Sequence, residues 1–339
     1  MKYFTAAFLL ALVALCAVLY FLPGKIRKLE QTSVQSGRYV AATTYPIWVF
    51  TREIMDGTGR DAVLLTPPDA GCPHDYTLTT NDLMKISRKP FLLFKNGAGL
   101  DDHICKAALS ANKHIEVVDT GAGIEVIGDD DDHDHHDGEQ EEDHDAEEDE
   151  EHEEHEEHEG HHHHHHGGEN GHFFASPYEA RKIVATITEA LAQNCPDDAA
   201  KYRENAAKLD KRLQLLGDEF KARLEPCREI HVAAQHNIFD YLLRDCGFET
   251  PMAIFADPET PPSPAEITKM TKEFKEHGVK VIFTEPQYPD DLAKLIAGET
   301  GAAVVKLDPV ASGPQNPPIG YYIDTMTRNL ELMTKALSE

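Results

Sequence analysis

The sequence predicts an α/β protein of two lobes, each a four-stranded, mainly parallel sheet with flanking helices, joined by a long helical connector. Short β-branched or aliphatic runs alternate with helix-like stretches in the first half of the chain, and the same alternation returns in the last third. The section between them has helical stretches and no strand-like run. A length of 339 residues with 41% hydrophobic residues also suits two cores better than one.

The first half contains four strand-like runs, each followed by turn residues or by a helix-like stretch. They are residues 39–43, 62–66, 91–94 and 115–118. Alternation of this kind is typical of parallel sheets that helices cover on both faces. We therefore predict an N-terminal β/α lobe over residues 38–128.

The strand-free section begins near Ser176 and contains two long helical stretches. The sequence Ser-Pro-Tyr-Glu at 176–179 predicts a capping box with proline at the first helical position. We assign residues 169–226 to a loop and the connecting helices, and we expect the connector within residues 177–224.

The alternation resumes with four further runs, at residues 230–234, 251–255, 279–283 and 303–307. A second capping box, Ser-Pro-Ala-Glu at 263–266, predicts a helix that reaches His277. Residues 227–339 are therefore predicted to form a C-terminal β/α lobe. In open α/β sheets ligands bind beyond the carboxyl ends of the strands, so a functional site is expected there.

The net charge of −28 comes mainly from one internal tract, residues 129–168, which holds 21 acidic residues, 13 of the 20 histidines and no Lys or Arg. The remaining 39 acidic and 32 basic residues leave about −7, so nucleic-acid binding has no electrostatic basis. The tract has almost no apolar side chains and is predicted to be a disordered loop. Its histidines can bind divalent metals weakly, and a purely solubilising role is the alternative.

The N-terminus carries twenty uncharged residues, 3–22, enough for a helix that crosses a bilayer. We predict that residues 1–24 are a membrane anchor or signal segment. An uncleaved anchor is favoured because no small residue directly precedes Cys16, which makes a poor lipoprotein site. Three basic residues follow the segment and one precedes it, so its orientation is argued from function rather than charge.

Five cysteines lie beyond that segment, which is compatible with an oxidising compartment. One or two disulfides and an unpaired thiol are expected, with a connectivity that spacing does not reveal. The cysteines are Cys72, Cys105, Cys195, Cys227 and Cys246.

Four residues near predicted strand ends or loop edges are candidate metal ligands. His74 follows the second strand in a Pro/Gly-rich loop, His172 lies four residues before a helix cap, and His236 follows the fifth strand. Asp308 closes the last strand, and Glu285 ends the strand before it. Each has an ordinary alternative, such as a solvated loop histidine or a turn aspartate before proline. Three imidazoles and one carboxylate would together suit Zn2+ better than manganese or magnesium.

Four motifs carry a resemblance to a known family. Pro-His-Asp-Tyr at 73–76, His-Phe-Phe-Ala-Ser-Pro at 172–177, Gln-His-Asn-Ile-Phe at 235–239 and Phe-Thr-Glu-Pro-Gln at 283–287 resemble the zinc-binding proteins of bacterial ABC importers. The resemblance covers about residues 38–335 and includes an acidic, histidine-rich insertion before the second motif. It implies high-affinity capture of Zn2+ in the interlobe cleft and delivery to an ABC transporter membrane permease.

The resemblance also implies a location and a set of ligands. The protein is expected in the periplasm or at the outer face of the cytoplasmic membrane, anchored by residues 3–22, as a monomer and not an enzyme. His74, His172 and His236 are expected to coordinate the metal, and Asp308 matches the fourth position. Asn170-Gly171 and Pro73 depart from the family pattern, so Asp308, Glu285 and water all stay open as the fourth ligand.

Three other functions fit parts of the pattern. A zinc-storage or metallochaperone protein would have many weak sites and no tight one. A manganese-binding or other divalent-metal-binding protein is similar in sequence, but such relatives carry glutamate where this chain has His236. A metalloenzyme could use three histidines and an open position to activate water, yet no general base or substrate motif accompanies them.

Overall fold

The computed structural model describes residues 39–86, 89–128, 169–255 and 262–338. The N-terminal segment and the acidic, histidine-rich tract, both singled out in the sequence, lie outside these ranges. Within them, no helix combines the length and the apolar composition needed to cross a membrane.

The first lobe is built on a parallel four-stranded sheet whose order is β2-β1-β3-β4. Its strands are β1 (Tyr39–Ala42), β2 (Asp61–Leu64), β3 (Leu92–Lys95) and β4 (Glu116–Asp119). Three helices accompany them, α1 (Tyr45–Met55), α2 (Thr80–Ile86) and α3 (Asp102–Ala111). All four predicted strands of this half are confirmed.

The second lobe repeats this topology, with the parallel order β6-β5-β7-β8. The strands are β5 (Val232–Ala234), β6 (Met252–Ala253), β7 (Val281–Thr284) and β8 (Ala303–Lys306). Four further helices are α6 (Asp240–Asp245), α7 (Pro264–Glu276), α8 (Asp291–Thr300) and α9 (Tyr321–Ser338). The prediction of two four-stranded parallel sheets is therefore confirmed.

Two long helices connect the lobes, α4 (Pro177–Asn194) and α5 (Ala199–Leu224), and they also confirm the predicted connector. α5 packs against α4 and α1 and also contacts α9, so it touches both ends of the fold. The connector therefore packs against helices of both halves of the chain.

The two predicted capping boxes have different outcomes. Ser263 and Glu266 form the reciprocal box at the start of α7. Ser176 caps α4 through the backbone N–H of Tyr178, but the expected return bond from Glu179 is absent. The Glu179 carboxylate lies 2.6 Å from Arg244 in the second lobe instead, so the predicted capping box is wrong, whereas the proline at the start of the helix is confirmed.

Alternate residues of the central strands face different hydrophobic cores. Val40 and Phe94 belong to a large buried cluster that also includes Phe220 of α5 and Phe283 of β7. Their neighbours along the strands face smaller clusters on the outer side of each sheet, represented by Leu93 in the first lobe and Ile282 in the second. The largest core is thus shared by both lobes and the connector.

The predicted disulfides are wrong for the described residues. The cysteines of these ranges, Cys72, Cys105, Cys195, Cys227 and Cys246, are all buried, and no disulfide joins any two of them. They occupy separate elements of the fold: a loop, α3, the end of α4, the turn after α5 and the end of α6. Burial raises the pKa of the Cys246 thiol to about 12, which is typical of an inert structural cysteine.

Candidate metal centre

His236 lies just beyond β5 at the carboxyl edge of the second sheet, and it is only 2% exposed. The neighbouring strand β7 ends beside it and is followed directly by Glu285, which is 1% exposed. The Nδ1 atom of His236 lies 2.5 Å from Oε1 of Glu285. Its Nε2 atom is buried and has no hydrogen-bond partner among the described residues. One nitrogen of this ring therefore faces a carboxylate, while the other is available as a ligand.

His172 opens a short 3-10 helix, His172–Ala175, directly before the cap of α4. The Asn170 side chain donates from Nδ2 to the carbonyl of Asn237 and to Asp240, so its Oδ1 atom must face His172. An amide oxygen accepts only, and it lies 2.9 Å from Nδ1 of His172. The proton is thus on Nδ1, and the lone pair is on Nε2.

The electrostatic surroundings keep the His172 ring neutral. Burial is the main cause of a pKa well below the usual range, and the nearby His236 and His74 rings lower it further. Metal coordination requires a neutral imidazole, so this environment favours a metal over a proton at Nε2.

The loop after β2 brings two potential ligands to the same place. Gly71 has a φ of +81°, which suits glycine, and the chain then enters the 3-10 turn Pro73–Asp75. Cys72 is 1% exposed, and its Sγ atom lies 3.2 Å from Nε2 of His172. His74 is exposed, and its ring centre lies 5.1 Å from that of His172.

The end of this loop is tied to α2 by a buried carboxylate. Asp82 accepts hydrogen bonds from the Tyr76 hydroxyl, from the backbone and side chain of Thr79, and from Lys85. Burial of Asp82 disfavours its charge, but these bonds outweigh burial and lower its pKa to about 2. The anchor holds the loop that carries His74.

The structure brings together the three histidines that the sequence singled out. The ring centre of His172 lies 5.1 Å from that of His74 and 5.0 Å from that of His236. Within the described ranges, the ligand atoms of Cys72, His172 and His236 form a group whose members all lie within 4.8 Å of one another. Cys72 of the first lobe, His172 at the start of the connector and His236 of the second lobe therefore converge, and His74 lies beside His172 but outside this tighter group.

Asp308 lies outside that group. Its Oδ1 atom accepts a hydrogen bond of 2.8 Å from the backbone of Val310. The side chain of Asn329 in α9 accepts a hydrogen bond from the backbone N–H of Asp308 and donates one to its carbonyl. The pKa of Asp308 is raised, because the effect of burial outweighs the lowering effects of the bond from Val310 and the charge of Arg328. These contacts are those of a turn aspartate, and its role as fourth ligand stays a prediction.

Cys72 was not among the ligands predicted from the sequence. It was expected either to form a disulfide or to be the unpaired thiol. A usable signal was present, because the sequence Cys-Pro-His at 72–74 places a thiol and an imidazole on one short, rigid turn. Asn170 was noted only as a departure from the family pattern, and its contact with Nδ1 of His172, which fixes the tautomer of that ring, was not predicted.

The lobes touch each other around this cluster. The backbone N–H of Gly313 donates to the carbonyl of Pro68 at 2.8 Å, and the Tyr45 hydroxyl donates to the carbonyl of Pro314 at 3.0 Å. Tyr241 of α6 donates to the carbonyl of Asn170 at 2.6 Å. The fold and these contacts define a two-lobed, helix-linked protein of the solute-binding class.

Comparison with known proteins gives the family. A family profile described as zinc-uptake complex component A, periplasmic, matches residues 40–336, and the chain belongs to this family. It is 28% identical over 304 residues to the high-affinity zinc uptake system protein ZnuA of Bacillus subtilis, which covers 88% of this chain and 87% of that protein.

Two further relatives agree with this assignment. The chain is 28% identical over 331 residues to the zinc-binding protein AdcA of Streptococcus pyogenes serotype M3, which covers 95% of this chain but only 60% of that protein. Among solved structures, the SBP FpvC of Pseudomonas aeruginosa in complex with Mn2+ superposes with a TM-score of 0.72 at 26% identity. That superposition covers 88% of this chain and 98% of the other.

Proposed function

We propose that this protein captures Zn2+ with high affinity outside the cytoplasm, in the cleft between its lobes, and delivers the ion to an ABC transporter membrane permease. The observation that carries the proposal is the convergence of His74, His172 and His236 from separate parts of the fold. The names of the sequence relatives support zinc as the cargo. The protein acts as a binding protein and not as an enzyme.

Zinc rather than manganese is the proposed ion because nitrogen donors dominate the cluster. Imidazole suits zinc, whereas manganese prefers oxygen ligands. A nanomolar site corresponds to about −12 kcal/mol, which preorganised ligands supply more readily than flexible ones. Two of the three rings are buried and held by Asn170 or Glu285, so much of the ordering cost is met before the ion arrives.

The setting of the site completes the proposal. The chain works as a monomer in the periplasm or at the outer face of the cytoplasmic membrane, anchored by residues 3–22. Residues 38–128 and 227–339 are its lobes, and residues 169–226 contain the second metal loop and the connecting helices. The tract at 129–168 collects zinc at low specificity and is not part of the tight site.

The test is a zinc competition titration of the full chain and of three variants, His74→Ala, His172→Ala and His236→Ala. We expect one tight site in the parent protein and a loss on the order of 100-fold or more in each variant, above the effect of an outer-shell partner. His231→Ala is the matched control, because this histidine is half-exposed and pairs with Glu249 on the surface.

Three other results of these experiments would contradict the proposed function or the proposed position of the tight site. Several weak sites and no tight one would favour a storage protein or metallochaperone. Tighter binding of manganese than of zinc would assign another cargo. A chain without residues 129–168 should keep its tightest binding event, and its loss would move the high-affinity site into the tract. Growth in zinc-poor medium should depend on His74.

A further inference from the structure

In the proposed site three histidines account for three of the four ligands that zinc commonly takes. The two carboxylates considered in the sequence have other partners. Glu285 lies 2.5 Å from Nδ1 of His236, so it stands behind that ligand. Asp308 accepts from the backbone of Val310 and lies outside the group of converging donor atoms. The Cys72 thiol, by contrast, belongs to that group.

The position of the thiol is that of a ligand. In a tetrahedral site with Zn–N of about 2.0–2.1 Å and Zn–S of about 2.3 Å, a sulfur and a nitrogen ligand are about 3.5 Å apart. The Sγ atom of Cys72 lies 3.2 Å from Nε2 of His172, and this nitrogen carries the lone pair. The third donor, His236, is buried, and its Nε2 atom has no hydrogen-bond partner in the part of the chain that the structure describes. These three donor atoms lie within 4.8 Å of one another, and the ring of His74, centred 5.1 Å from that of His172, must move toward them to share one ion.

We infer that Cys72 is the fourth ligand and completes a Cys/His3 zinc site with His74, His172 and His236. This inference rests on the proposed function and specifies how the same site selects its metal. In the structure the thiol donates to Nε2 of His172. On binding, the thiol proton passes to solvent, the sulfur binds Zn2+ as a thiolate, and Nε2 binds the same ion.

A thiolate ligand changes the metal preference of the site. Soft sulfur donors favour zinc and disfavour manganese and magnesium, which take oxygen ligands. The thiolate also brings a negative charge to a site whose other three ligands are neutral. The ordinary alternative is a buried thiol that only fills space in the main core, where Cys72 packs with its apolar neighbours.

The deciding measurement is X-ray absorption at the zinc edge on the full chain loaded with one zinc per molecule. We expect one sulfur at about 2.3 Å together with a shell of nitrogen or oxygen at about 2.0 Å. Cys72→Ser should lose the sulfur and weaken zinc binding on the order of tenfold or more. Cys105→Ser, which alters a buried cysteine of α3, should keep both the sulfur and the affinity.

The outcomes separate this inference from the proposed function. A tight, histidine-dependent zinc site with nitrogen and oxygen ligands only would overturn the role of Cys72 and leave zinc capture intact. The spectrum of the unaltered protein decides this point even if Cys72→Ser fails to fold. Absence of any tight site would overturn both. Circular dichroism of Cys72→Ser and Cys72→Ala checks that a loss of affinity does not come from unfolding.

Discussion

Replacement of Glu285 by Gln tests how the second lobe holds its ligand. Gln keeps the size of the side chain but replaces the carboxylate whose Oε1 atom lies 2.5 Å from Nδ1 of His236. Because this pair exists with and without zinc, only the part of the charge effect that grows when the ion binds changes the zinc Kd. We expect roughly tenfold weaker binding, at the lower end of the 10–100-fold effect of an outer-shell partner of a ligating histidine. Zn2+ brings more positive charge than a proton, so the carboxylate favours the metal.

The assay for Glu285→Gln is competition with a zinc-selective fluorescent chelator near neutral pH. Glu249→Gln is the matched control, because Glu249 also faces a histidine, His231, but at 3.5 Å, with the His231 side chain half-exposed and that of Glu249 largely exposed. The control should leave the zinc Kd unchanged. A Kd for Glu285→Gln within about twofold of the parent protein would refute the reasoning. Loss of a ligand from the zinc absorption spectrum would instead make Glu285 a direct ligand.

Two further predictions concern the elements that support the site. Asp82→Asn should lower the free energy of unfolding by about 2 kcal/mol at neutral pH, and the difference should vanish as pH falls from about 4 to about 2, because the folded-state pKa of this carboxyl is depressed. Denaturant unfolding of both proteins across this range measures it, and a difference that does not depend on pH would contradict it. Gly171→Ala should cost about 1–3 kcal/mol and weaken zinc binding, because a Cβ here would lie 2.7 Å from Leu100 and would push the chain next to His172. Gly298→Ala, with open space around it, is the control, and equal stability of the two variants would count against this packing argument.

The fold was predictable because its signals are local. Each strand-like run in the sequence overlaps a strand of the structure, since buried parallel strands are short and rich in β-branched or aliphatic residues. The capping box at Ser263 was predictable for the same reason. The box at Ser176 failed because Glu179 had a stronger partner, Arg244, that is distant in sequence. Local patterns do not report competition from tertiary contacts.

The candidate site was predictable in part. The three histidines stood at predicted strand ends or loop edges, and topology brings such positions together. The membership of Cys72 in the site could not be predicted, because it depends on contact with His172, one hundred positions away in the sequence. Sequence spacing gives no information about such a contact. Five cysteines in a chain expected outside the cytoplasm indicate disulfides, so their number and spacing do not point to Cys72 as a metal ligand. Asp308 looked equivalent to the other strand-end residues until its bonds to the next turn were visible.

The unequal burial of the three histidine rings indicates the route by which an ion reaches the site. His172 and His236 are almost completely buried, whereas His74 is exposed, so the solvent side of the cluster is the side of the loop after β2. The main core runs through both lobes and α5, and wide opening of the cleft would expose part of that apolar surface to water. Movement of the loop at 67–76 disturbs less of that core, because Cys72 is its one member among those loop residues, although it also breaks the hydrogen bond between Gly313 and Pro68. We therefore expect this loop to admit the ion, while the buried rings of the connector and second lobe form the fixed part of the site.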